Sequence, residues 1–164
     1  MTKISGGCQC GSVKYETSAD PVFAAHCQCN DCKKSTGAGH ATAAGFPEAA
    51  VSFTGKVKAF ASRTDAGSTA TREFCPECGG RLTFRSSNMP GLVLLMAGSM
   101  DDPGLIKPTG AIFNKRHLAW DHLDSSLNIL TAPSESRETV SPGKRVQIPS
   151  VTRNPFSEIG RAHV

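Results

Sequence analysis

"CPECGG", residues 75–80, is the stretch on which the reading of this chain turns. Two cysteines separated by two residues and followed by glycine form a zinc knuckle. Both sulfurs can face one ion only where the backbone turns tightly behind them, and glycine permits that turn. A thioredoxin-type redox pair shares the spacing, but it opens a helix after a strand in a βαβ context. Here the β-like "RLTFRS" (81–86) follows, so the motif reads as a metal site. A knuckle supplies two ligands, whereas a closed zinc site takes four. The chain has seven cysteines, and the other clusters are "CQC" (Cys8, Cys10) and "CQCNDC" (Cys27, Cys29, Cys32). Cys8 and Cys10 bring the knuckle of Cys75 and Cys78 to four ligands. The expected result is a four-cysteine structural zinc site that clamps the first strand to a late hairpin, its binding energy serving as folding energy.

Cys27, Cys29 and Cys32 then remain as a group of three. Three protein ligands and one open position describe a catalytic zinc, with water or a substrate thiolate in the fourth place. The other reading is a second structural site closed by His26, His40 or Asp31. His26 is the weaker candidate, because adjacent residues rarely both reach one ion. His40 lies in a mostly apolar segment, where a plain hydrogen bond would also account for it. Asp31 sits inside the metal loop, where an Asp commonly shapes the turn. The residues alone leave both readings open.

The 164 residues suffice for one domain with a real core. Residues 1–130 are rich in short β-like segments, among them 12–17, 22–27, 41–46, 57–62, 69–74, 81–86, 92–98 and 111–115, punctuated by Gly, Pro, Asp and Ser. Val13 and Tyr15 alternate with Lys14 and Glu16, as in a sheet with one wet face. Only "NDCKKSTG" (30–37) invites a short helix, with Gly37 to end it. The fold class expected is all-β. Residues 131–164 are rich in Ser, Pro, Thr and Arg and are expected to form a flexible tail. Its end, "EIGRAHV" (158–164), reads like a translated sequencing adapter, and it is set aside together with His163.

The formal charge of +4 overstates the basic character, since metal-bound cysteines are thiolates and would cancel most of it. No dense basic stripe suggests nucleic acid. Lys33 and Lys34 read as a solvated pair beside the metal loop, or as an attractor for an anionic substrate. The longest apolar run, "LVLLMAG" (92–98), falls well short of the roughly 20 residues of a membrane span. "MTKISGGCQC" lacks the apolar stretch of a signal peptide. A cytoplasmic protein with reduced thiols is expected. Trp120 and Asp121 are expected to pack and cap the end of the domain, and Asp101 and Asp102 to turn the chain before Pro103. Ser99 is at most a minor pocket candidate.

"GGCQCGSVKYE", "HCQCNDCKKSTGAGH", "REFCPECGGRL", "AGSMDDP" and "AWDHLD" occur in this order and at these distances. The pattern resembles the family of glutathione-dependent formaldehyde-activating enzymes and centromere-protein-V-like domains, over roughly residues 3 to 125. The resemblance implies a β-tent fold of small antiparallel sheets pinned by zinc. It implies two Zn²⁺ per chain, one structural on Cys8, Cys10, Cys75 and Cys78, the other catalytic on Cys27, Cys29 and Cys32. It also implies a carbon–sulfur lyase that joins formaldehyde and glutathione into S-hydroxymethylglutathione, with a small-molecule thiol and an aldehyde as its partners. Two departures stand out. Gln28 occupies a position where the family often has His, and "GHATAAGF" (39–46) carries smaller side chains than the aromatics often found there. A non-catalytic zinc-stabilised binding module and a thiol-based redox or metal sensor are the rival functions.

Overall fold

The structure is a computed structural model and describes residues 3–130. The expected tail and the adapter-like end lie outside the described residues. The all-β expectation holds, with two open sheets and a single α-helix among the described residues.

The smaller sheet is antiparallel and joins β1 (Ile4–Gly7), β2 (Lys14–Thr17) and β5 (Val51–Thr54) in the order β1-β2-β5. The period-2 pattern read at Val13 to Glu16 is realised in β2, where Tyr15 and Thr17 are buried and Lys14 and Glu16 are exposed. The larger sheet contains β3 (Phe23–Cys27), β4 (Ala41–Pro47), β6 (Lys58–Arg63), β7 (Thr69–Phe74), β8 (Arg81–Ser86), β9 (Leu92–Met96), β10 (Gly110–Ile112) and β11 (Asn128–Leu130). Its order is β11-β10-β3-β4-β9-β8-β7-β6. All neighbours are antiparallel except that β10 runs parallel to both β3 and β11. The long connection after β9 carries the chain back across the sheet, as parallel pairing requires.

β9 lies near the centre and is apolar throughout: Val93 and Leu95 face the core between the sheets, and Leu94 and Met96 line a cavity on the other face. On one face, Phe46, Val93 and Leu95 pack with Ile4, Val13 and Tyr15 of the small-sheet side, and Cys8 and Cys75 belong to this core. On the other face, Ala43 and Met96 pack with Cys27, Cys29 and Cys32. The large sheet therefore separates the two cysteine groups.

α1 (Asn30–Thr36) is the helix expected from "NDCKKSTG". Cys29 caps its N-terminus through its sulfur, and Gly37 ends it in the left-handed conformation (φ 68°), which costs glycine little. Trp120 does not pack as expected: it is 67% exposed. The turn around residues 118–121 directs Asp121 inward to His40 and leaves the indole outside. Asp101 and Asp102 do shape the turn, Asp102 accepting from the Gly104 N–H and Asp101 from the Ser5 hydroxyl. No helix among the described residues is long and apolar enough to cross a membrane.

Candidate functional site

Two groups of sulfurs converge, and they are the two read from spacing. The ligand atoms of Cys8, Cys10, Cys75 and Cys78 lie within 4.8 Å of one another, as do those of Cys27, Cys29 and Cys32. All seven are free thiols. In the first group Cys8 Sγ is 3.5 Å from Cys10 Sγ, and Cys10 Sγ is 3.7 Å from Cys75 Sγ. These separations are far beyond a disulfide bond of about 2 Å. They match the edge of a tetrahedron with zinc–sulfur bonds of about 2.3 Å, which is about 3.8 Å. The knuckle folds as its glycine requires. Gly79 has φ 72°, its N–H donates to the Cys75 carbonyl, and the Cys75 N–H donates to the Gly80 carbonyl. A Cβ on Gly80 would crowd Cys78 Sγ at 3.3 Å. The Val13 N–H donates to Cys8 Sγ, a contact that favours a thiolate.

The second group is open. The end of β3 supplies Cys27, the N-cap of α1 supplies Cys29, and the first turn of α1 supplies Cys32. The Cys32 N–H donates to Cys29 Sγ at 3.3 Å. Sulfur contacts dominate the titration of the group. Hydrogen bonds from Cys27 and then Cys32 hold the Cys29 thiol far below its ordinary range, while the presence of Cys29 and Cys32 pushes the Cys27 thiol far up. Three thiolates this close repel one another, and a divalent cation relieves that repulsion. Both groups can hold a metal ion, and both donor sets suit zinc.

No histidine or carboxylate joins either group at that separation among the described residues. His40 Nδ1 instead pairs with Asp121 at 2.8 Å, and its ring meets His26 edge-on with centroids 4.7 Å apart. His26 Nδ1 is 2.9 Å from Thr42 Oγ1. Asp31 lies in the first turn of α1 and pairs with Arg72. Lys33 is tied down, its Nζ donating to the Arg116 carbonyl at 2.5 Å. Ser99 lies away from the triad; its hydroxyl donates to the Met96 carbonyl and accepts from Tyr15.

The triad opens onto a cavity of about 470 Å³. Its walls are largely apolar side chains of the large sheet, but three arginines line it: Arg72 on β7, Arg81 at the start of β8, and Arg116. A register shift between Glu73 and Phe74 sets Arg81 in place. Counting back from Phe84, regular alternation would give the cavity face to Leu82. The shift instead sends Leu82 to the core and Arg81 to the cavity. Sequence reading missed these arginines. The available signal was their symmetry about the knuckle, Arg72 three residues before Cys75 and Arg81 three after Cys78.

The glutathione-dependent formaldehyde-activating enzyme family matches residues 3–116. The chain belongs to this family. Membership in the formaldehyde-activating family implies enzyme activity in glutathione–formaldehyde chemistry, on small molecules. No curated protein matches the chain. Among solved structures, a crystal structure of a Rhodobacter sphaeroides protein is similar at 19% identity and a TM-score of 0.48, over 63% of this chain and 91% of that one.

Proposed function

We propose that this member of the formaldehyde-activating family is a zinc-dependent carbon–sulfur lyase-like enzyme. Residues 1–130 form its domain, and it activates a small thiol, glutathione or one like it, for reversible addition to an aldehyde such as formaldehyde. Cys8, Cys10, Cys75 and Cys78 hold a structural zinc. Cys27, Cys29 and Cys32 hold a catalytic one. A reducing, cytoplasmic setting suits seven free thiols. One observation carries the reading: Cys8 and Cys75 of the group of four belong to the core between the sheets, whereas the group of three lines a cavity.

Zinc held by Cys27, Cys29 and Cys32 would supply positive charge that favours the thiolate form of a substrate thiol near neutral pH. With three thiolates around it the ion would be a weak Lewis acid, which favours activation of the thiol over that of the carbonyl. The chain positions that thiol beside the aldehyde and removes much of the entropic barrier. In the forward direction one C–S bond forms, the carbonyl π pair moves to oxygen, and the proton lost by the thiol ends on that oxygen. The reverse reaction breaks the C–S bond, with no net redox change either way.

The test is exchange NMR on labelled formaldehyde and glutathione with the zinc-loaded full chain. Interconversion of free and S-hydroxymethyl carbon should speed up, and Cys32→Ala should abolish the gain. An exchange rate equal to that of buffer, with both sites loaded, would refute the proposal.

A further inference from the structure

We infer that Arg81 binds a carboxylate of the substrate thiol and is the residue that makes the cavity prefer an acidic thiol to a neutral one. The inference rests on the open triad proposed above and names a specificity-determining residue of that site. Formaldehyde is a minimal one-carbon molecule, whereas a cavity of about 470 Å³ accommodates a far larger one. The thiol partner therefore fills most of it. The walls around it, such as Phe23, Ala43, Leu94 and Met96, offer apolar contact and no charge. Charge comes from three guanidiniums, with Asp31 and Asp65 as the opposing carboxylates.

The donors of these guanidiniums are unequally engaged. Arg72, whose side chain is 9% exposed, gives Nη1 to Ser62 at 2.9 Å and Nη2 to Asp31 at 3.1 Å. Arg116 faces Asp65 at 3.9 Å and lies 5.6 Å from the ring centre of Phe113, a residue held in the left-handed conformation. Arg81 gives Nη1 to the Ser35 hydroxyl and lies within hydrogen-bonding reach of the Cys32 sulfur, and its buried Nε, like that of Arg72, has no partner among the described residues. What sets it apart is that no carboxylate of the described residues pairs with it. A half-buried guanidinium without a carboxylate partner is costly, and a carboxylate satisfies it with two parallel hydrogen bonds. The Ser35 contact sets Arg81 against α1 three residues after Cys32, so it lines the cavity beside the triad. The register shift in β8 gives up a ladder position and aims this one side chain into the cavity.

The experiment uses the full chain loaded with cobalt and follows the thiolate-to-cobalt absorption as thiols are added. The probes are 3-mercaptopropionate and 3-mercapto-1-propanol, alike in length and different in charge, and glutathione alongside its diester. The acid of each pair should bind about tenfold tighter or more, the scale of a charge-assisted hydrogen bond. Arg81→Gln should bring the members of each pair to equal affinity, and Arg81→Lys should keep part of the preference. Should Arg81→Gln fail to fold, the lysine variant and the wild-type comparison still decide. Equal affinities in the wild type would overturn the carboxylate preference. A preference that survives in Arg81→Gln would overturn the assignment to Arg81, as would equal weakening of acids and neutral thiols. If no thiol perturbs the cobalt at all, the open-triad reading fails, and this inference with it.

Discussion

Cys10 Sγ lies 3.7 Å from Cys75 Sγ, across 65 residues of sequence. That contact joins the turn after β1 to the knuckle before β8, and it has no apolar substitute at the exposed Cys10 end. Structural zinc contributes on the order of 10 kcal/mol in small metal-folded domains. That is comparable to the whole stability of an ordinary domain. Cys75→Ser should therefore lose one zinc and the cooperative thermal transition together. Cys32→Ala should lose one zinc and keep the transition. Metal analysis with circular dichroism melting reads both, and a folded Cys75→Ser protein with full metal content would contradict the clamp.

Tyr15 is the chain's only tyrosine, so tyrosinate absorbance reports it alone. Burial pushes its phenol up to about 12. The unfolded chain releases this proton near pH 10, while the folded chain still holds it. Its contribution to stability is therefore complete below about pH 10 and is lost as pH rises to about 12. The full effect is at most about 2 to 3 kcal/mol. A spectrophotometric titration should show almost no tyrosinate at pH 10 until the protein unfolds. Tyr15→Phe should flatten the alkaline slope of the denaturation midpoint. A midpoint near the ordinary phenol value in the folded protein would contradict the burial argument.

What was legible in the sequence is what is local in it. Metal ligands pair through short spacings, so Cys75 with Cys78 and the triad could be read directly. "TATREF" and "RLTFRS" became β7 and β8 with the expected bounds, since their turns flank them closely. β1 was missed because "ISGG" carries two glycines, and its strand character comes from β2 alongside it. β10 was read as 111–115, but the chain leaves the strand at Phe113 with φ 60°, a turn that a Phe does not announce. The cavity left only one trace, the symmetry of Arg72 and Arg81 about the knuckle. These two and Arg116 meet there through strand order and one register shift, and neither leaves a mark in composition. Trp120 was misread because a lone indole suggests packing, whereas here its neighbour Asp121 turns inward.

The His40–Asp121 pair separates two roles for His40. Both side chains are mostly buried, and the contact is 2.8 Å. If the pair is structural, Asp121→Asn should cost about 1 to 3 kcal/mol, the range for weakening a buried charged hydrogen bond. Zinc content should not change, because His40 lies outside both sulfur groups. A variant that lost one zinc while remaining folded would show that His40 closes the triad, and the catalytic reading would fall with it. Thermal unfolding and metal analysis on the same sample supply the answer.

Gln28 offers the opposite kind of test, in which removing a polar group should not hurt. It stands between Cys27 and Cys29, is 0% exposed, and neither polar atom of its amide has a partner among the described residues. Its backbone is anchored independently, the N–H donating to the Ile112 carbonyl at 3.1 Å. A buried amide without hydrogen bonds costs about 1 to 3 kcal/mol, and an apolar group of similar shape removes that cost. Gln28→Met should accordingly leave the denaturant midpoint unchanged or raise it by up to that amount, with two zincs retained. A lower midpoint would mean that the amide is satisfied by buried water and helps to hold the loop between the two ligands. In that case Gln28→His, which restores the residue common in the family, should recover more stability than Gln28→Met.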